Sequence, residues 1–320
     1  MSVRAIRDSS APESAAKPLE RTADRPKTAL ELARALQASV GNAATAQILA
    51  RDTPTATVPP PTPAAAVKAG ETGIGAPSAV GRFVAAAKGV EKDWTSLGTA
   101  DKRAQKLGDA ANEELKKAGV EPCTVKVEAM DSAGALGFRT WTLRIGKNAF
   151  DKASMTLTEM ADAADTIYHE ARHAEQWFRM ARLRAGAGKK AAEIATELEI
   201  PPTVATAAEA KPLTGTGTEV AEAKAWYESV YGTGSSHRDT VLTELPKASA
   251  ALTKAMSDQA AVNKDPAATA AAKKAAADAV EAARTKRADL YKQYRALPEE
   301  ADGWIVGGAV TTGVFLYERK

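Results

Sequence analysis

Residues 169 to 173 of the chain read His-Glu-Ala-Arg-His. Imidazoles four residues apart on a helix lie one above the other on one face, so both can point at a single metal ion. The carboxylate of Glu170 projects beside them, where it can reach a metal-bound water. The chain holds 3 histidines, and this pair uses two of them. Two imidazoles do not complete a hydrolytic site, because a catalytic zinc ion takes three protein ligands and keeps a fourth position for water. The remaining histidine, His237, follows Gly-Ser-Ser at the start of a helical stretch. The sole cysteine, Cys123, excludes a cysteine-based zinc site and an internal disulfide framework. Carboxylates are therefore the candidates for the third ligand.

Two later segments supply them. Tyr294-Arg-Ala-Leu-Pro-Glu-Glu-Ala-Asp-Gly-Trp304 opens a fresh helix at Pro298 and offers Glu300, with Asp302 spaced to accept from a ligand histidine's free N–H. Glu219-Val-Ala-Glu-Ala-Lys-Ala-Trp226 offers Glu222 or Glu219 and lies nearer the histidines. Gln176 and Arg179 occupy the places where the extended pattern H-E-x-x-H-x-x-G-x-x-H needs Gly and His, so the metzincin arrangement is excluded. The first segment resembles the Y-R-x-x-P-x-E-x-D-A element that follows H-E-x-x-H in gluzincin-like metallopeptidases of bacterial toxin systems. That resemblance implies Glu300 as the third metal ligand; the departure is Gly303, where the family usually carries Ala. Glu228-Ser-Val-Tyr-Gly232 faintly resembles the tail of aspzincin sites but lacks the adjoining Gly-Thr and the Asp.

The elements that must position these groups can be read in outline. Thr156 and Glu159 form a capping box that starts the histidine helix. Met160, Ala164, Ile167, Ala171, Ala174 and Phe178 recur at helical spacing as its core stripe. His169 and His173 fall opposite that stripe and must face a second layer or a cleft. Cys123–Ala129 and Phe138–Ile145 alternate as strands around 131–137, which predicts a small β-hairpin or sheet, with 138–145 offered as an edge for an extended substrate. Helices are expected at 78–90, 99–118, 188–198, 202–210 and 217–231. A long helical hairpin spans 239–297, with Asp265 as cap and Pro266 at the first helical position of its second arm. Tyr291 and Tyr294, just before Glu300, read as packed tyrosines or as donors to an oxyanion. The fold class is α+β and mainly helical: a zincin-like helix, a small β-hairpin and a long helical hairpin, in one domain over 77–320.

The rest of the chain bounds the partners. Residues 1–27 are polar, rich in Ala, Ser, Pro and charge, and expected to be disordered. Residues 28–51 form a short amphipathic helical segment, and 52–76 a Pro/Thr/Ala linker. The formal net charge is +3, with the charges well mixed and no basic block interleaved with aromatics, so no nucleic acid is expected. No run of about 18 apolar residues exists, so no membrane span is expected. No apolar signal core opens the chain, so a cytoplasmic location in the producing cell is the expectation. Leu36-Gln-Ala-Ser-Val-Gly-Asn-Ala-Ala-Thr-Ala-Gln-Ile-Leu-Ala-Arg51 resembles an element at the front of actinobacterial proteins associated with extracellular contractile injection systems. The segment Tyr168-His-Glu-Ala-Arg-His-Ala-Glu-Gln-Trp-Phe178 resembles metallopeptidases of that group. Together the resemblances imply an effector: a tag that meets the injection tube or a loading partner, a linker, and a catalytic domain delivered by the particle. The expected activity is zinc-dependent hydrolysis of peptide bonds in a protein or peptide substrate. Zn²⁺ would sit on His169, His173 and Glu300, and Glu170 would act as general base. Two other readings stay open: a structural or adaptor protein of an injection particle with a non-catalytic metal site, and a zinc amidase acting on cell-wall peptide.

Overall fold

The computed structural model describes residues 70–130 and 132–317. The disordered segment expected over 1–27, the tag-like segment 28–51 and linker residues 52–69 lie outside the described residues. A 3₁₀ turn at Gly73–Gly75 leads into helices α1 (Pro77–Lys92), α2 (Trp94–Leu97) and α3 (Ala100–Lys117). Strands β1 (Thr124–Glu128), β2 (Gly134–Gly137) and β3 (Thr142–Gly146) follow. Helices α4 (Lys147–Phe150), α5 (Leu157–Gly186), α6 (Ala191–Leu198), α7 (Pro202–Glu209) and α8 (Thr218–Val230) come next. The chain continues with α9 (Ser235–Lys264), α10 (Ala270–Arg295) and α11 (Pro298–Tyr317). No helix among the described residues is long and apolar enough to cross a membrane.

The histidine helix α5 is the axis of the fold. Its capping box forms as the sequence predicts: Thr156 Oγ1 accepts from Glu159 N at 3.2 Å, and Glu159 Oε2 accepts from Thr156 N at 2.8 Å. From Met160 to Ala181 nearly every residue is buried. The expected stripe of Met160, Ala164, Ile167, Ala171, Ala174 and Phe178 is buried. The opposite side is covered by a second layer, chiefly α11, with α8 and the turn at Gly73–Gly75. Helix α11 can approach closely because glycines face α5. A Cβ at Gly303 would stand 2.9 Å from His169 Cε1, and one at Gly307 would stand 1.8 Å from Asp165 Oδ1.

Three sequence expectations change. First, the β element is a three-stranded sheet of order β1-β3-β2, not a hairpin of the two alternating segments. β1 runs parallel to β3, from Thr124↔Thr142 to Glu128↔Gly146, and the hairpin is β2–β3. The missed strand, Gly-Ala-Leu-Gly, has no β-branched residue, yet its glycine is required. A Cβ at Gly134 would lie 2.7 Å from Thr166 Cγ2, so only glycine lets this strand lie against α5. As a result β3 is the middle strand, both its sides are paired, and segment 138–145 cannot serve as an edge for substrate. Second, the second arm of the helical hairpin is capped by Thr269, whose Oγ1 accepts from Ala272 N at 3.1 Å. Asp265 instead holds the connecting turn, accepting from Ala267 N at 2.9 Å, and Pro266 lies in that turn rather than at the first helical position, which is Ala270. Third, residues 70–76, read as the end of the linker, are packed into the domain. Ile74 is fully buried, its N–H donates to Glu175 Oε2 at 3.1 Å, and its carbonyl accepts from Tyr168 Oη at 2.8 Å.

The hairpin α9–α10 stands apart from the main core. A second small cluster, with Val241, Leu242, Leu245, Tyr291, Tyr294 and Leu297, joins its base to the body, and Trp304 packs against it. That base lies beside the start of α11, which carries Glu300.

Candidate metal centre

Helix α5 places His169 and His173 one turn apart, as their spacing requires. Their rings meet edge to face, with centroids 4.7 Å apart, and the two Nε2 atoms stand 3.0 Å apart. Pro298 begins α11, and Glu300 lies in its first turn. Glu300 Oε2 is 3.8 Å from His169 Nε2, and Oε1 is 3.7 Å from His173 Nε2. A tetrahedral ion with bonds of about 2.0–2.2 Å separates its donor atoms by about 3.3–3.6 Å. The three observed spacings straddle that range, so His169, His173 and Glu300 could hold a metal ion. Glu300 Oε2 is sealed from solvent and has no hydrogen-bond partner, which is the state of an oxygen that a cation would satisfy.

Neighbouring groups aim the donors. The amide nitrogen of Gln176 donates to Asp302 Oδ2 and to Glu299 O, both at 2.8 Å. Its oxygen must therefore face His173, and Nδ1–H of His173 donates to it at 2.7 Å. That bond fixes the tautomer and leaves Nε2 of His173 bare, as a ligand nitrogen needs. Asp302 thus acts one step further out than the sequence suggested. It does not touch a histidine; it holds Gln176 and pairs with Arg172, whose Nε donates at 2.7 Å. Tyr294, on α10, is buried close enough to Glu300 to help hold its carboxyl down. Tyr291, the other candidate, has a buried hydroxyl without a partner. Trp304 lies edge-on to His169 with centroids 5.2 Å apart, and Arg295 covers the outer face of that indole at 4.4 Å.

Glu170 is also buried, and its Oε2 accepts from Leu136 N on β2 at 2.8 Å. Burial pushes its carboxyl upward, against the pull of the two histidines, and Glu300 adds to the rise. Burial opposes charge on His169 and Glu300 as well. On His169 the neighbouring Glu300, Glu170 and Asp165 outweigh it and drive the imidazole upward; on Glu300 the charges of His173 and His169 outweigh it and drive the carboxyl downward. The field at the meeting point of these groups therefore favours positive charge.

The competing carboxylates lie elsewhere. Glu222 Oε2 accepts from Arg179 Nη1 at 2.7 Å and from Thr72 Oγ1 at 2.6 Å. The side chain of Glu219 is 45% exposed and stands 3.8 Å from Arg179 and from Arg182. Neither joins the histidines. His237 is exposed in the first turn of α9, and Cys123 is a buried free thiol that burial keeps protonated. Sequence reasoning did not assign Gln176 a part in the site. Its signal was the three-residue step from His173, which puts two side chains on one helical face.

The departure at Gly303 has a structural reason. His169 occupies the space that an alanine methyl would take. Comparison with family models, with curated proteins and with solved structures finds no match to this chain.

Proposed function

We propose that the chain is a zinc-dependent hydrolase of peptide bonds, and that His169, His173 and Glu300 hold the ion. The observation that carries this reading is the convergence of two aimed imidazole nitrogens and one carboxylate on a single buried point. Glu170 lies in the same pocket of charge. Two imidazoles and a carboxylate are a borderline, mixed N/O donor set that suits zinc. When bound, zinc acidifies a coordinated water and polarises a scissile carbonyl. Glu170 supplies the base that takes the water's proton and returns it to the leaving amine. Gln176 keeps His173 in the ligand tautomer, and Tyr294 orients Glu300. The resemblance to gluzincin-like peptidases of toxin systems supports the same roles. The resemblance of segment 36–51 to injection-system proteins supports an effector delivered by such a particle, with the tag outside the described residues.

A second reading rests on the closure of the centre. His169 and His173 are each 1% exposed, Glu300 3%, and Glu170 is tied to Leu136 N. A substrate reaches such a site only if the cover moves. A non-catalytic metal site in a structural or adaptor protein would need no such motion. The deciding experiment compares zinc content and cleavage of an unfolded polypeptide for the wild type and Glu170→Gln. The peptidase reading expects equal zinc and loss of most cleavage, because the amide keeps the shape but accepts no proton. Bound zinc with no cleavage in either protein supports the adaptor. Cleavage confined to cell-wall stem peptide supports an amidase.

A further inference from the structure

The two histidines are not equally supported. Nδ1 of His173 has its partner in Gln176 Oε1, whereas Nδ1 of His169 is sealed from solvent with no hydrogen-bond partner. An imidazole that gives Nε2 to a metal carries its proton on Nδ1 and needs an acceptor there. A second orphan lies one turn away on the same helix: Oδ1 of Asp165 is likewise sealed and unpartnered. Side chains at i and i+4 share a helical face, and each Cα–Cβ bond tilts toward the N terminus, so His169 leans toward the turn that bears Asp165.

The packing of α11 places both residues in one slot. Gly303 and Gly307, themselves one turn apart, face His169 and Asp165 respectively. A Cβ at Gly303 would be 3.3 Å from His169 Nδ1, and one at Gly307 would be 1.8 Å from Asp165 Oδ1. Among the other unpartnered buried atoms nearby, Trp304 Nε1 can only donate, and Glu300 Oε2 lies on the Nε2 side of the ring. Tyr291, whose hydroxyl is also unpartnered, projects from α10 and feels the charges of Arg295, Glu300 and Asp165.

From this juxtaposition we infer that Asp165 is the positioning carboxylate of His169, accepting its Nδ1–H when a cation is held at Nε2. The inference rests on the metal reading of the site and adds to it the residue that fixes the orientation of the first histidine. A carboxylate in this role raises the basicity of the ligand imidazole and restricts its rotation. Without the ion, Asp165 keeps a sealed oxygen that lacks its partner, a state that costs stability rather than adding to it.

The test is a competition titration of zinc against a chelator for wild type, Asp165→Ala and Asp165→Asn, together with the unfolding temperature of each metal-free protein. Asp165→Ala should lose about 10- to 100-fold in zinc affinity. Asp165→Asn, which keeps an accepting oxygen, should lose less. The metal-free unfolding temperature should stay level or rise in both. In zinc-loaded wild type, the His169 Nδ1 proton should appear as a downfield, slowly exchanging NMR resonance, and Asp165→Ala should move or erase it. Zinc affinity of Asp165→Ala within twofold of wild type overturns the assignment while leaving the metal site intact. So does an affinity loss matched by a fall in metal-free stability, which would mark a merely structural residue. A wild type that takes up no zinc overturns the metal reading, and this inference with it.

Discussion

Helix α5 and the start of α11 build two buried polar regions side by side, and they solve the problem of buried charge differently. In one, Arg172 donates to Asp302 Oδ2 at 2.7 Å and to Thr72 O at 2.8 Å, and it also pairs with Glu175. Arg179 bridges Glu175 at 2.6 Å and Glu222 at 2.7 Å. Nearly every charge there meets an opposite charge on the protein, with Glu222 Oε1 as the exception. In the other, Glu300 lies against two imidazoles, with Glu170 close by. Atoms of His169 and Glu300 are left without partners. Burial of ionised groups is tolerated only with compensation. The arginine network carries its compensation within the chain. The histidine region instead leaves sealed atoms of His169 and Glu300 that a cation and its supporting groups would complete. A buried set without its counter-charge is thus a better pointer to a ligand than a buried set of charges as such.

Breaking the self-sufficient region should have the largest effect. Arg172→Met removes the cation shared by Asp302 and Glu175, leaving Asp302 buried without a cationic partner and Glu175 with Arg179 alone. The expected loss is about 3–5 kcal/mol of folding stability, read from urea unfolding. A loss below about 1 kcal/mol would show that the network is not what holds α11 to α5. His173→Ala should cost far less in the metal-free protein, because its region is incomplete to begin with.

Adding zinc should act on the other region alone. At a free concentration of about 100 times Kd, the wild type should gain about 2.7 kcal/mol, seen as a raised unfolding temperature. Glu300→Ala and His173→Ala should show no comparable gain, while Glu222→Ala, weakened in the arginine network, should still respond to zinc. Zinc stabilisation undiminished in Glu300→Ala would transfer the third ligand to another group.

Gly303→Ala tests how closely the two helices must meet. The added methyl presses on His169 at 2.9 Å, and overpacking of this kind costs about 1–3 kcal/mol. The ligand ring is what must shift, so zinc affinity should fall along with stability. Unchanged affinity would mean that the ring has room to spare.

The smallest effect is expected from the N terminus, and its boundary is sharp. Deleting residues 1–66 should leave the unfolding temperature and zinc binding as they are. Deleting residues 1–76 should lower stability markedly, because Gly70 N donates to Asp302 and Thr72 and Ile74 meet Glu222 and Glu175. Equal stability of the two truncations would place the 70–76 strap outside the arginine network.

Several particulars were legible in the sequence because they depend on neighbours along the chain. The i, i+4 imidazoles, the Thr156–Glu159 box and the helix start at Pro298 follow from helical geometry and backbone chemistry within a few residues. The helical pattern and the exclusion of a third histidine also came from sequence alone. The tertiary structure decided what those local facts left open. Glu300 and Glu222 head the same Glu-Ala-x-x-Trp pattern, and only the packing of α11 against α5 brings Glu300 to the histidines. Arg179 and Thr72 claim Glu222 instead. Strand β2 escaped notice because Gly134 is there for contact with α5, not for strand propensity. Local geometry sets which face a side chain occupies. Which partner completes a buried charge is set by residues more than 120 positions away, and no spacing rule reaches that far.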